Sequence, residues 1–361
     1  MRSQTNHKVP LSPGGARRRA RKVAESALFQ ISPLFSDQDF GQIIQANEPD
    51  CSLIGWLTSG INEINTRLNQ QGALLFRGFD ANAEQDLGEV SKVLGNPLSY
   101  TYRSTPRTEV KKQVYTSTEY PAEQIIPLHN ENAYSLAWPK KLLFHCAMPA
   151  TIKGGNTPLA DSGQIYQNIN HDIRDKFERL GVTYVRNYGE YLDLSWQIVF
   201  QTQDKQQVED YCRRAKIDFT WKTNGQLQTR QRCPAVQKHP ITGNKVWFNQ
   251  AHLFHVSALP QELLKSLEQQ PDSLPRHALY GDGSEIEAEV LQHIRAVYDS
   301  WQREFEWQKG DTLLMDNLLV AHGRTPYEGQ RKILVAMLDD YLVGDRCNNN
   351  ETNNNERRSA S

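Results

Sequence analysis

Apolar positions along this chain recur with two periods. Between Ser52 and Asn69 they fall at Leu53, Ile54, Trp56, Leu57, Ile61, Ile64 and Leu68. That helical spacing predicts an amphipathic helix with one face against a core. Gly72-Ala-Leu-Leu-Phe-Arg-Gly-Phe79 follows, a short apolar run between glycines, and predicts a buried strand. Residues 81–94 predict a second helix, stopped by Gly95. Residues 140–150 (KKLLFHCAMPA) and Val246-Trp-Phe-Asn249 predict strands, and His171 to Leu180 and Gln206 to Ala215 predict helices. Glu285 to Phe305 carries Ile286, Val290, Leu291, Ile294, Val297, Tyr298 and Trp301 and predicts one long amphipathic helix. Asp311 to Asp316 and Lys332 to Met337 predict strands on either side of a turn-rich stretch. Many scattered strands, with helices mainly early and between them, do not make the regular alternation of a doubly wound sheet. No internal repeat is present.

Composition sets the outer limits. Residues 1–24 are poor in apolar side chains and carry Arg17, Arg18, Arg19, Arg21 and Lys22. Residues 345–361 read DRCNNNETNNNERRSAS, a polar low-complexity tract. Neither can bury apolar area, so both are expected to be disordered tails around one folded domain over 25–344. The 7 Trp, 14 Tyr and 12 Phe argue against a disordered chain as a whole. A formal net charge of −1 gives no basic excess to neutralise phosphates, so nucleic acid is not the expected partner. No run of about 18 apolar residues exists to span a membrane. The five cysteines are odd in number and no pair is spaced CxxC, which disfavours a disulfide framework and a zinc–thiolate site. No long apolar leader precedes the folded part, and a cytoplasmic location is the simplest expectation. Neither GxGxxG after a strand nor GxxxxGK[ST] occurs, so the two commonest nucleotide cradles are missing.

Three features carry candidate chemistry. Leu128-His129-Asn130-Glu131 is the first. In an extended segment His129 and Glu131 point the same way and Asn130 the other. A neutral imidazole beside a carboxylate suits a divalent first-row metal, although H-x-E alone is common by chance. His322 is the second, after an apolar strand-like run and before a glycine turn. Taken with His129 and Glu131 it completes a two-histidine, one-carboxylate facial triad, which leaves open positions for a cosubstrate and oxygen on Fe(II). Taken alone it reads as a buried, hydrogen-bonded histidine. The third is Arg331, nine residues after His322, which shares a strand face with Ile333, Val335 and Met337. An arginine on an apolar face is costly without an anionic partner. A dicarboxylate cosubstrate, chelated to iron at one end and paired with Arg331 at the other, accounts for both features. Gly154-Gly155-Asn156-Thr157-Pro158 adds a turn whose Thr157 hydroxyl can bind the same carboxylate.

In order and spacing, these motifs resemble the TauD/TfdA family of Fe(II)/2-oxoglutarate-dependent dioxygenases. The resemblance rests on H-x-E followed by Ala133-Tyr134, then GGNTPLADS (Gly154 to Ser162), then DNLLVAHGR with Arg331 beyond it. Leu74-Leu-Phe-Arg-Gly-Phe79 matches the family's early strand, so the likeness spans roughly residues 70–340. Val246 to His255 and Ala321 to Arg324 resemble the SyrP-like branch of peptide natural-product pathways.

The resemblance implies an α+β fold with a mostly β core, a clavaminate synthase-like double-stranded β-helix (jelly roll) flanked by helices. It makes His129, Glu131 and His322 the iron ligands, and Arg331, helped by Thr157, the 2-oxoglutarate partner. Fe(II), 2-oxoglutarate and O2 are the implied cofactor and cosubstrates. Because Glu131 is present, where related halogenases vacate the carboxylate position, hydroxylation or desaturation is expected rather than halogenation. The expected substrate is amino-acid-like, free or tethered to a peptidyl carrier protein. Arg324 and Asn249 are candidate substrate contacts, and Tyr102 to Arg107 a candidate lid loop. His252 and His255, three apart, are expected to pack rather than bind metal, and Asp316 and Asn317 to shape the turn before His322. Two other readings compete: a zinc hydrolase on the same triad, which leaves Arg331 unexplained, and a non-catalytic jelly-roll regulatory module.

Overall fold

The computed structural model describes residues 28–343, apart from 49, 81, 82, 100–106, 118, 119, 190–193, 224, 260, 261, 263 and 265–273. The two tails and most of the Tyr102–Arg107 stretch therefore lie outside the described residues. The largest element is an eight-stranded sheet. Its order is Phe29–Pro33, Gln42–Ala46, Ala73–Arg77, Thr312–Asp316, Ala137–Met148, Lys332–Leu342, Val114–Thr116 and Glu109–Lys111. Only Gln42–Ala46 and Ala73–Arg77 pair in parallel, and the helix Leu53–Gln71 makes the crossover that such a pair requires. A second, four-stranded sheet runs Arg303–Phe305, Thr157–Asp161, Val320–Arg324 and Ile126–His129.

The inner strands of the large sheet are apolar at successive positions because both of their faces are covered. Ile333, Val335 and Met337 point inward and join Leu75, Phe144, Leu159 and Val320 in a core shared with the small sheet. Leu334, Ala336 and Leu338 point outward and join Leu74, Phe76, Leu143 and Leu314 under the helices Leu53–Gln71 and Ala83–Leu94. The two sheets face to face form the double-stranded β-helix, and the helices flank one side, as expected. A third sheet, Asp218–Trp221, Leu227–Cys233, Val182–Tyr188 and Arg276–Tyr280, shares a core with Ala160 and Ala321 of the small sheet and carries a separate apolar cluster around Trp196 and Leu227.

The long crossover helix shows how sequence sets its limits. The Ser52 hydroxyl accepts from the Gly55 N–H at 3.2 Å and begins it. Gly72 ends it with φ 71° and donates its N–H to the Leu68 carbonyl at 2.7 Å. A Cβ at Gly72 would also come within 2.6 Å of Val320, two residues before His322 on the neighbouring sheet.

Two expected boundaries are corrected. The single helix over 285–305 is a helix Ala288–Trp301 followed by a strand Arg303–Phe305. Gln302 turns extended (φ −65°, ψ 141°), and Phe305 pairs with Thr157 on the small sheet. Pairing with a sheet edge overrides helical periodicity over those last residues. The strand expected at 140–150 is displaced to Ala137–Met148, because its pairing with Lys332–Leu342 reaches back to Ala137 opposite Leu342.

Leu314 is fully buried between the large sheet and the helical layer. Leu314→Ala is expected to lower unfolding free energy by about 3 kcal/mol in urea titration. A cost below about 1 kcal/mol would mean that the helices do not cover that face.

Candidate active site

The site begins with strand register. Ile126–His129 runs antiparallel to Val320–Arg324, and His322 lies directly opposite His129. Directly opposed residues place their side chains about 5 Å apart on one face. The two imidazole centroids are accordingly 4.5 Å apart, although the residues are 193 positions apart in the chain. Gly323 permits this approach: a Cβ there would lie 2.5 Å from the Ile126 carbonyl oxygen.

Glu131 arrives by a different route from the one expected. The strand ends at His129, and Glu131 starts a turn in which Asn132 has φ 58°. Asn130 still points away from the histidines and donates to Ser162 Oγ at 3.0 Å and the Asn317 carbonyl at 2.7 Å. The Asn317 side chain in turn fixes the backbone of Glu131. Its Oδ1 accepts from the Glu131 N–H at 2.8 Å, and its Nδ2 donates to the Glu131 carbonyl at 2.9 Å and to Pro139 O at 2.9 Å. Asn317 is fully buried, so these bonds are not exchanged for water. The result is that one ligand atom each from His129, Glu131 and His322 lies within 4.8 Å of the others.

Electrostatics suit this trio to a cation. Burial pushes His129 down in pKa against the opposing pull of Glu131, and burial with the His129 and Arg107 charges pushes His322 well below the usual imidazole range. Both rings are therefore neutral near pH 7. His129 Nδ1 donates to Pro127 O at 2.8 Å, which leaves the Nε2 lone pair free. His322 Nδ1 is buried with no hydrogen-bond partner among the described residues. An orphaned buried nitrogen is costly unless something outside the chain satisfies it. Two neutral nitrogens and a carboxylate are the donor set that a divalent first-row metal ion takes, so the residues fit such an ion. Glu131 Oε2 also accepts from Arg107 Nη2 at 2.8 Å, and both side chains are buried.

The same cavity is lined by Arg331, Thr157, Phe144 and Ile333. Arg331 Nε donates to Gly155 O at 2.9 Å, and its guanidinium carbon lies 5.6 Å from the Tyr327 ring centre. Burial and the nearby Arg324 charge pull Arg331 down to about 10. No Asp or Glu carboxylate pairs with this cation among the described residues. Thr157 Oγ1 accepts from Trp307 Nε1 at 2.9 Å, which leaves its hydroxyl hydrogen to donate elsewhere.

Arg324 and Asn249 are placed differently. Arg324 touches the cavity, but Nη1 donates to Tyr120 O and Nη2 to Pro121 O and Gln124 O at 2.6–3.1 Å. Its donors pin the 120–124 loop. Asn249 is buried away from the cavity lining: it donates to Ala235 O and accepts from the Ala251 N–H. Its neighbour Gln250, which sequence reasoning missed, donates to Asn130 O at 2.8 Å and supports the H-x-E turn from behind. His252 and His255 diverge. His252 reaches Leu128 O at 3.3 Å and stacks on Tyr298. His255 gathers with His277 and Glu285, with ligand atoms within 4.8 Å of one another. The Nδ1 of His255 accepts the Ser257 N–H and that of His277 the Val256 N–H. The Nε2 atoms of the two rings face Glu285 Oε2, at 3.1 Å from His277 and 4.0 Å from His255. Asp316 does shape the following turn, accepting from the Leu318 and Leu319 N–H groups, and its other oxygen meets buried His239 at 3.1 Å.

The sequence profile of the taurine catabolism dioxygenase TauD, TfdA family matches residues 36–337. The chain belongs to this family. Members similar to it include the dapdiamide synthesis protein DdaC of Enterobacter agglomerans, 42% identical over 316 residues that cover 86% of this chain and 94% of that protein. The clavaminate synthase-like protein At3g21360 of Arabidopsis thaliana is 30% identical over 76% of this chain and 83% of its own length. Among solved structures, the crystal structure of the PvcB protein from Pseudomonas aeruginosa superposes with a TM-score of 0.52 at 16% identity, covering 92% of this chain and 95% of that one. That likeness shows a shared fold. As a member of the family the protein is an Fe(II)- and 2-oxoglutarate-dependent oxygenase that uses O2.

Buried histidines make the metal-free fold sensitive to acid. Besides the two cavity histidines, burial pushes His252 down to about 3 and His255 down to about 4. An unfolded histidine takes its proton near pH 6.5, whereas these do so only at lower pH. Between those values the unfolded state binds more protons, so stability falls as pH falls. The contribution is complete above about pH 6.5 and is lost toward pH 4, by at most about 1.4 kcal/mol per pH unit for each histidine. Calorimetry of metal-free protein from pH 7 to 4.5 should show a steadily falling Tm. A flat profile would mean that these rings are not buried neutral.

Proposed function

We propose that His129, Glu131 and His322 hold the ferrous ion and that Arg331, aided by the Thr157 hydroxyl, holds the far carboxylate of 2-oxoglutarate. We further propose that the enzyme hydroxylates an unactivated C–H of an amino-acid-like substrate in a natural-product pathway, with release of succinate and CO2. One observation carries the reading of the site: two neutral imidazoles, each with a ligand atom within 4.8 Å of a Glu131 oxygen, line one cavity with the Arg331 guanidinium, which no acidic side chain pairs among the described residues. A dicarboxylate keto acid fits both halves of that arrangement at once.

When bound, iron and 2-oxoglutarate supply the activation of O2 that is coupled to decarboxylation. The chain's own residues do the rest. Asn317 holds the Glu131 peptide on both sides, so the carboxylate is presented without a search through backbone conformations. Burial keeps both imidazoles unprotonated over the neutral range. Trp307 fixes the Thr157 oxygen, so the hydroxyl hydrogen is aimed by elimination. Phe144 and Ile333 line the cavity with apolar surface and keep water from the reacting atoms. The three donor positions are all filled by protein, which favours hydroxylation, or desaturation, over halide transfer.

The 42% identity with a dapdiamide synthesis protein supports placement in natural-product synthesis. The substrate is read as free or carried on a peptidyl carrier protein, and the location as cytoplasmic. No helix among the described residues is long and apolar enough to cross a membrane. The zinc-hydrolase reading uses the same three ligands but gives Arg331 nothing to bind.

Adding Fe(II) and 2-oxoglutarate without oxygen should produce a weak visible charge-transfer band, and His322→Ala should abolish it. Zinc chemistry or an inert module would give no band in the wild-type protein. Arg331→Ala should weaken 2-oxoglutarate binding by about 2–5 kcal/mol, read from titration of the same band. Unchanged succinate formation by Glu131→Ala would overturn the ligand assignment. A panel of amino acids, free and carrier-loaded, scored by succinate release, identifies the substrate form.

A further inference from the structure

Arg107 is not explained by binding or folding as described so far. Its Nη2 lies 2.8 Å from Glu131 Oε2, and both side chains are about 95% buried, at 4% and 5% exposure. It lines the cavity with His129, His322 and Arg331. Its backbone is anchored elsewhere, on the edge of the large sheet. The Thr108 N–H donates to Thr116 Oγ1 at 2.9 Å, and Thr108 O accepts from the Thr116 N–H at 2.8 Å. Arg107 therefore reaches from the large sheet to a carboxylate held at the end of the small one. The two restraints on Glu131 are independent: Asn317 grips its peptide and Arg107 grips one oxygen of its carboxylate.

That second restraint has a chemical consequence. A free carboxylate can give a metal one oxygen or two. A six-coordinate metal with three protein donors keeps three open positions, two for the keto acid and one for O2. A carboxylate that swings into two-oxygen binding removes one of the three. With Oε2 held against a guanidinium, the swing that would bring it onto the metal works against that charge-assisted bond, and one-oxygen binding is favoured.

We infer that Arg107 is a positioning residue that keeps Glu131 a one-oxygen ligand and so preserves the third open position of the metal. This rests on the reading of His129, Glu131 and His322 as the metal ligands. It assigns Arg107 no contact with substrate.

The test counts open positions directly. Mn(II) is bound to metal-free protein in place of iron, and the exchangeable waters on it are counted by water-proton relaxation. The wild-type protein is expected to hold about three waters, and about one after 2-oxoglutarate is added. Arg107→Gln is expected to hold about two, and about none with 2-oxoglutarate, because the released carboxylate takes a position. Arg107→Lys keeps the charge and one donor and is expected to match the wild type. Loss of a positive charge alone changes affinities but not the water count, so the count separates positioning from general electrostatics. Equal counts in wild type and Arg107→Gln would overturn the inference, as would loss of Mn(II) binding by a folded Arg107→Gln. Should that variant not fold, Arg107→Met, which retains the aliphatic stem, takes its place with the same expected count. A wild-type protein that binds no Mn(II), or whose His322→Ala variant binds it equally well, would instead overturn the ligand assignment, so the two failures are distinguishable.

Discussion

The structure of this site depends on one cross-strand pairing, His129 opposite His322. Side chains alternate faces along a strand, so a slip of one residue in that ladder would turn one imidazole out of the cavity. The neighbouring contacts guard the register. Val320, Ala321 and His322 pair on their other side with Asp161, Ala160 and Leu159. Gly323 lets the backbones approach where any side chain would collide with the Ile126 carbonyl. The strand that brings His322 into place is thus held on both edges and cannot shift without breaking two ladders.

Around this pairing the chain places polar groups in the cavity wall whose demands it does not meet by itself. Arg331 sits among apolar residues of the inner face with no carboxylate partner among the described residues, and His322 keeps a nitrogen without a bond. Groups of this kind cost stability in a folded chain. They are tolerated where a ligand later supplies the missing partner, and both lie in one cavity. Behind the histidines, side-chain bonds from Asn130, Asn317 and Gln250 tie the H-x-E turn to the Asn317 and Glu131 peptides and to Ser162. Backbone held in this way presents the ligand side chains in one arrangement, as a preorganised binding site requires.

The motif residues were legible in the sequence because their types are chemically unusual where they stand. An imidazole ending an apolar run and an arginine in phase with Ile333 and Val335 invite a functional explanation, and the structure brings both to the cavity. Arg324 and Asn249 were read as candidate substrate contacts; Arg324 lines the cavity while three of its bonds go to backbone carbonyls, and Asn249 bonds a carbonyl and a backbone N–H away from it. Residue type cannot tell a donor aimed at a ligand from one aimed at the chain. Arg107 was read only as the end of a candidate lid loop and Gln250 only as part of the Val246–His255 motif, because the groups they bond, Glu131 and Asn130, are distant in the chain. Asn317 was read only as a turn former, because its partner Glu131 is 186 positions away.

The amino-acid sequence by itself determined the strand-rich character, the position of the crossover helix and the identity of the family, because hydrophobic period and local motif are properties of neighbouring residues. Its reading of Arg331 as sharing a side with Ile333 agrees with the cavity lining, although Arg331 precedes the strand Lys332–Leu342, whose ladder is irregular at Lys332/Ile333. Tertiary structure decided that 303–305 leaves the helix to pair with Thr157, that Glu131 enters from a turn, and that Arg107 and Asn317 hold it from two sides. Each of these is a contact between segments distant in the chain, and its energy exists only once the two sheets have closed on one another.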